Sequence, residues 1–287
     1  MQLRHLLVAT DESSTSRNAL RAALTLAHRA NARVTVLTTV RAYAPAGAGG
    51  GMPNADLEPD AGPVPVRLEQ WIEAELRTAP AIRSVGLAVT FGIPGVEICR
   101  FADDHAVDLI VVGRKHRSPA TRLLVGDTAD AVARRSRVPC LFVPLGSAAP
   151  ERVLVALDGS LRGLAVLRTA CDFATAAGAA LHAVTVEPVY VGESAELAAL
   201  FPTGRTDALR QAIDRLAECH PAGRAPQGLM VRRGPIVESL LAAAADVQAG
   251  TIAVGFHRGG PPGVVETGST ARRLTHSAER AVLTVPL

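Results

Sequence analysis

The stretch Leu6-Leu7-Val8-Ala9-Thr10-Asp11 returns later in the chain as Val153-Leu154-Val155-Ala156-Leu157-Asp158. Each is a short apolar run closed by an aspartate, at an offset of 158 − 11 = 147. Further along, Gly92-Ile93-Pro94-Gly95-Val96-Glu97 matches Gly234-Pro235-Ile236-Val237-Glu238 at the glycine, where the offset is 234 − 92 = 142. The same 142 joins Gly113 to Gly255, Gly126 to Gly268, and Val143-Pro144-Leu145 to Val285-Pro286-Leu287. Anchors that share one register, with a single step of five residues, mark an internal duplication. The five extra residues belong between the first strand and Gly92. The chain therefore reads as two domains, residues 1–147 and 151–287, with a joint at Gly146–Glu151 too tight to be a flexible spacer.

Within the first copy, strands and helices alternate. Leu6–Thr10 is apolar throughout, as expected of a strand covered on both faces. Asp11 and Ser13 are placed to cap a helix over Ser14–Ala30. Val34–Val40 reads as a second strand. Leu68, Trp71, Ile72 and Leu76 recur at helical spacing, which predicts a helix over Pro65–Ala79. Leu87–Phe91, a helix over Val96–His105, Leu109–Val112, a helix over Asp127–Ser136 and Cys140–Val143 complete the copy. In the second copy the strands fall at Val153–Leu157, Leu181–Val186, Leu229–Arg232, Ile252–Val254 and Ala281–Val285. This alternation calls for an α/β fold, with two tandem five-stranded parallel-sheet domains and helices on both faces of each sheet.

Composition narrows the function classes. The 287 residues include 30 basic and 27 acidic side chains, a formal net charge of +3, and only 3% aromatics. That gives no electrostatic or stacking case for nucleic-acid binding. The start of the chain lacks the long apolar region of a secretory signal, and no apolar run is long enough to span a membrane. Cys99, Cys140, Cys171 and Cys219 lie far apart, which fits free buried thiols in a reducing cytoplasm rather than metal ligation. His5, His28, His105, His182, His220 and His276 are scattered without metal spacing. Glu73, Glu75 and the pair Asp103-Asp104 read as solvated helix faces, Arg114–Arg117 as a solvated basic loop, and Gly47–Gly51 as a mobile loop. Neither a nucleophile elbow nor a Walker phosphate loop is present.

In an open parallel sheet, ligands bind outside the carboxyl ends of the strands where the strand order reverses. Three segments of each copy converge there: the aspartate after the first strand, the glycine after the third, and the loop after the fourth. In the second copy that loop runs from Gly255 to Gly268-Ser269-Thr270 and then enters a helix. A glycine and two hydroxyls at a helix start make a phosphate seat, because the amides point outward and the helix dipole favours an anion. The same residues also serve as a plain helix cap.

The ordered set resembles the universal stress proteins: strand–Asp, Gly-x-Pro before a helix, Val107-Asp108-Leu109-Ile110-Val111-Val112-Gly113, then a glycine thirteen residues on. The resemblance covers nearly the whole chain, twice. It implies a Rossmann-like fold of the adenine nucleotide α-hydrolase type and, in the nucleotide-binding branch, Gly-x-x-Gly, nine residues, then Gly-Ser or Gly-Thr. The second copy then offers Asp158, Gly234, Gly255, His257, Arg258, Gly268, Ser269 and Thr270 as nucleotide-binding residues, with Arg258 at the second glycine of the pattern. The first copy offers Asp11, Gly92, Gly113, Gly126 and Thr128, but His116 replaces the second glycine and Asp127 occupies the hydroxyl position. A carboxylate there faces the phosphates, so the first site reads as lost. By resemblance the chain is a cytoplasmic, regulatory stress-response protein with no enzymatic role beyond weak ATP hydrolysis. Its cofactor would be ATP or ADP with or without magnesium. It would form a pseudo-dimer within one chain, with homodimerisation and a protein partner left open. The alternative is a nucleotide-independent interaction module in which both sites are degenerate.

Overall fold

The computed structural model of the chain describes residues 2–40, 64–77, 79, 82, 84–114, 128–147, 149–160, 162–187, 205–219, 225–256 and 269–287. The first half runs β1 (His5–Thr10), α1 (Ser14–Ala30), β2 (Arg33–Val40), α2 (Val64–Leu76), β3 (Val85–Phe91), α3 (Pro94–Asp104), β4 (Leu109–Arg114), α4 (Thr128–Arg135) and β5 (Cys140–Pro144). The second runs β6 (Arg152–Ala156), α5 (Gly163–Ala176), β7 (Ala180–Glu187), α6 (Arg205–Cys219), β8 (Leu229–Arg233), α7 (Ile236–Asp246), β9 (Thr251–Phe256), α8 (Ser269–Ser277) and β10 (Ala281–Pro286). Each expected strand is found, with ends shifted by at most two residues. The loop expected at Gly47–Gly51 lies outside the described residues.

The two sheets are not separate. The ten strands among the described residues form one sheet in the order β3-β2-β1-β4-β5-β10-β9-β6-β7-β8. Among these strands, pairing is parallel within each half and antiparallel where β5 meets β10, at Phe142↔Val282, Leu141↔Leu283 and Cys140↔Thr284. The strand order reverses between β1 and β4, and again between β6 and β9.

Period-two alternation sends each central strand's side chains to both faces. Leu6, Val8, Leu109, Val111, Leu141 and Val143 enter one core with α1, α2, α5 and α6. Leu7, Ala9, Ile110, Val112, Cys140 and Phe142 enter the other with α3, α4, α7 and α8. Both cores cross the β5–β10 junction. Small and branched side chains fill them, and Phe142 and Phe173 are the largest fully buried ones.

Local chemistry sets the helix ends. Ser13 caps α1 by accepting from the Ser16 amide, and Asn31 closes it in the left-handed conformation at φ 51°. Pro94 stands in the first turn of α3, where its missing N–H costs nothing. Gly92 and Gly234 turn the chain at φ 135° and 132°. Their amides donate to Val40 O at 3.0 Å and Glu187 O at 3.1 Å, so the five extra residues fall between Val40 and Gly92. A Cβ on Gly92 would touch Glu97 and one on Gly234 would touch Ser239, so Ser239 rather than Glu238 is the structural counterpart of Glu97.

Two readings of the sequence are corrected. Glu73 is exposed as expected, but Glu75 is only 4% exposed. It shares the stripe of buried Leu68 and Ile72 and pairs with Arg17 (3.1 Å) and Arg21 (2.6 Å) of α1. Arg114 is not solvated either: it ends β4, is 4% exposed, and donates to the carbonyls of Ala278 and Arg280 in the other half. Cys99, Cys140 and Cys171 are free and buried, and burial raises their thiols to about 11, 12 and 12. The thiol of Cys219 lies outside the described side chains.

Two predictions follow from this packing. A Cβ on Gly113 would sit 2.5 Å from the Thr15 backbone, whereas one on Gly255 would meet the side chains of Leu287 and Val166. A side chain can rotate away and a helix backbone cannot. Gly113→Ala should therefore destabilise by about 3 kcal/mol and Gly255→Ala by about 1 kcal/mol in denaturant unfolding; equal costs would show that α1 does not press on β4.

The second prediction concerns His5, which is buried with its ring nitrogens 2.8 Å from Thr35 Oγ1 and 3.1 Å from His105 O. Burial, aided by Arg33, holds its pKa below 6.5, and burial does the same for His182. The unfolded chain takes up these protons near pH 6.5 and the folded chain only at lower pH. Their contribution to stability is thus full above about pH 6.5 and is lost as pH falls through the folded values. His5→Gln should flatten the stability–pH profile below 6.5; an unchanged slope would contradict the neutral buried state.

Candidate functional site

The aspartates that revealed the repeat sit just beyond β1 and β6, where the strand order reverses. Asp11 Oδ1 accepts from the Ser13 amide at 3.1 Å. Asp158 Oδ1 accepts from the Ser160 amide at 2.9 Å and its hydroxyl at 2.7 Å. One turn further, Ser13 Oγ accepts from the Ser16 amide at 3.3 Å, and Ser160 Oγ from the Gly163 amide at 3.1 Å. Both loops are built alike, residue for residue at the 147 offset. Their differences are local. Glu12 holds a left-handed φ of 60°, pinned by Arg67 at 2.8 Å, where the second half has Gly159 at φ 75°. Gly163 leaves room beside Asp158, since a Cβ there would lie 3.0 Å from Oδ1. Asp158 is exposed, and its second carboxylate oxygen has no partner among the described residues.

Parallel pairing fixes the rest by topology. β6, β7, β8 and β9 run the same way, so Asp158, Glu187, Gly234 and Gly255 gather at one edge of the second half. Helix α8 returns from the end of β9 to the start of the parallel β10, which puts its first residues, Ser269 and Thr270, at that same edge. In the first half the same logic gathers Asp11, Gly92, Gly113 and the α4 start at Thr128. Gly126, Asp127, His257, Arg258 and Gly268 lie outside the described residues, as do Lys115, His116 and Arg117.

Two features of the crevices were not singled out from the sequence. The first turn of α4 carries Asp130, whereas the first turn of α8 carries no acid. The α8 start therefore keeps the positive character that an anion needs, and the α4 start is partly neutralised. At the crevice flank, Val40 pairs in register with Phe91, while the matching Glu187 and Arg233 form an ion pair at 2.9 Å. The duplication could have revealed both, by comparing the copies for charge instead of for shared glycines. Among the described residues, no group of three or more His, Cys, Asp or Glu side chains could hold a metal ion. No helix among them is long and apolar enough to cross a membrane.

Comparison with solved structures agrees with this architecture. A universal stress protein from Archaeoglobus fulgidus superposes with a TM-score of 0.68 at 20% identity, covering 100% of this chain and 99% of its own. A protein of unknown function from Pseudomonas aeruginosa gives 0.63 at 18% identity, covering 99% of this chain and 92% of its own. At these identities the likeness shows the fold. A search of curated proteins finds no match. The model of the universal stress protein family matches residues 2–144 and again residues 150–286, and the chain belongs to that family, with two family units in tandem.

Proposed function

We propose that this tandem universal stress protein is a regulatory, non-enzymatic protein that binds one adenine nucleotide, ATP or ADP, through its second half. The observation that carries the reading is the difference between the two helix starts. Helix α8 opens on Ser269 and Thr270 with no acid in its first turn, whereas α4 follows Asp127 and carries Asp130. Phosphate oxygens would accept from the first amides of α8 and from the two hydroxyls. Gly268 would let the backbone approach, and Asp158 would offer its second oxygen to a ribose hydroxyl or a base amine. His257 and Arg258, in the segment that joins β9 to α8 in sequence, would supply positive charge. Magnesium would accompany the phosphates of the nucleotide. The same charge logic makes the first half the weaker site.

A second reading, a nucleotide-independent interaction module, draws on the Glu187–Arg233 ion pair. It puts charge at the flank where the first half has Val40 and Phe91.

Mass spectrometry of protein denatured straight from purification separates the readings, because co-purified ATP or ADP supports the first. Calorimetry should give one nucleotide per chain. Ser269→Asp places a like charge about 5 Å from phosphate and should weaken binding by about 3 kcal/mol at an effective dielectric of about 20. Two equal sites, or indifference to Ser269→Asp, would move the phosphate elsewhere. No binding at all would favour the interaction module.

A further inference from the structure

The β5–β10 junction has a pseudo-two-fold axis at its centre, because Leu141 pairs with Leu283, its own repeat counterpart at 283 − 141 = 142. Near such an axis, repeat-equivalent residues face each other. Asp130 of α4 faces Arg272 of α8, which is its counterpart at 272 − 130 = 142, with Oδ2 3.7 Å from Nε. Its other oxygen lies 3.0 Å from His276 Nε2, and His276 is the counterpart of Arg134. Asp130 is 16% exposed and also meets Arg134 of its own helix at 3.5 Å.

We infer that this junction carries a charge code that commits each half to the other and rejects self-pairing. If a second half paired with another second half about the same axis, Arg272 would face Arg272 and His276, and the carboxylate of Asp130 would be missing from the contact. If a first half paired with a first half, Asp130 would face Asp130, with Arg134 in the place of His276 as a partial offset. Arg114 adds to the bias against second–second pairing alone. It donates across the junction to the Ala278 and Arg280 carbonyls, and its counterpart in the second half is Phe256, whose side chain has nothing to donate. The tandem arrangement thus sets Asp130 against Arg272 at an axis where identical halves would set each of these charges against itself.

Two experiments on the full chain test the code. In the intact protein, Asp130→Arg and Arg272→Asp are made singly and together, and the folding equilibrium is measured in denaturant. The double reversal should be about tenfold more stable than the two single effects combined would require; additive effects would overturn the inference. In the second, a protease site is placed in the Gly146–Glu151 joint and cut after folding. Isotope-labelled and unlabelled samples are then mixed and read by native mass spectrometry. Scrambled labels within first–second pairs only, and first–first and second–second pairs appearing once Arg272→Asp is introduced, support the code. Self-pairs at their statistical share in the unaltered protein, or pairing indifferent to Arg272→Asp, overturn it. Where the fragments do not exchange, the reversal cycle in the intact chain decides.

Discussion

The structure depends on the antiparallel pairing of β5 with β10. A five-stranded parallel sheet in the order of either half leaves its fifth strand at an edge, with a row of unpaired amides and carbonyls. Here each half supplies that strand to the other, at Phe142↔Val282, Leu141↔Leu283 and Cys140↔Thr284. The junction strands are buried and lie in the middle of both cores. A single fully buried leucine or phenylalanine is worth about 1.5–3 kcal/mol, so a seam lined by Leu141, Phe142, Val282 and Leu283 ties the two halves tightly. The short joint adds to this. Asn18 of α1 donates to Pro144 O at 2.8 Å and Ser147 O at 3.1 Å, which holds the joint against the first half.

That single antiparallel contact also places the functional surfaces. Because the strands of the two halves run in opposite directions, their carboxyl ends emerge at opposite edges of the sheet. The crevice of Asp11 and Gly92 therefore opens on one edge, and that of Asp158 and Gly234 on the other. Each is built by similar local chemistry: an aspartate that accepts from a serine two residues on, and that serine's hydroxyl accepting an amide three residues later, at the start of the next helix. Duplication preserved this frame while the charges diverged. Where the first half has Val40, Phe91, Asp130 and Arg114, the second has Glu187, Arg233, Arg272 and Phe256. The cores show less of this freedom: most buried strand residues of both halves are apolar, and buried polar ones such as His5 and Thr284 have hydrogen-bond partners. The sites and the seam carry the difference.

Most of the frame could be read from the sequence because it rests on short-range patterns. Continuous apolar runs marked Leu6–Thr10 and Val153–Leu157, helical spacing marked the second helix, and glycine offsets located the duplication. What was missed depends on partners far along the chain. Glu75 looks like a solvated carboxylate until the α1 arginines, more than fifty residues earlier, are brought against it by the fold. Arg114 belongs to a basic cluster in sequence, yet its partners are carbonyls about 165 residues away, across a seam that no periodicity announces. The site was legible in part. The strand-end aspartates and the glycines at 92, 113, 234 and 255 stand where the pattern put them, but an ion pair such as Glu187–Arg233 exists only once β7 and β8 are paired.

The seam itself is open to direct measurement by hydrogen exchange on the intact chain. If β5 and β10 form the centre of one sheet, the amides of Leu141 and Leu283 should exchange as slowly as those of Val8 and Ile252, opening only with global unfolding. Both halves should then lose protection in one transition as denaturant is raised. Fast exchange at Leu141 and Leu283 under conditions where Val8 and Ile252 remain protected would mean that the junction opens on its own, and two separate transitions would mean that the halves are independent folding units.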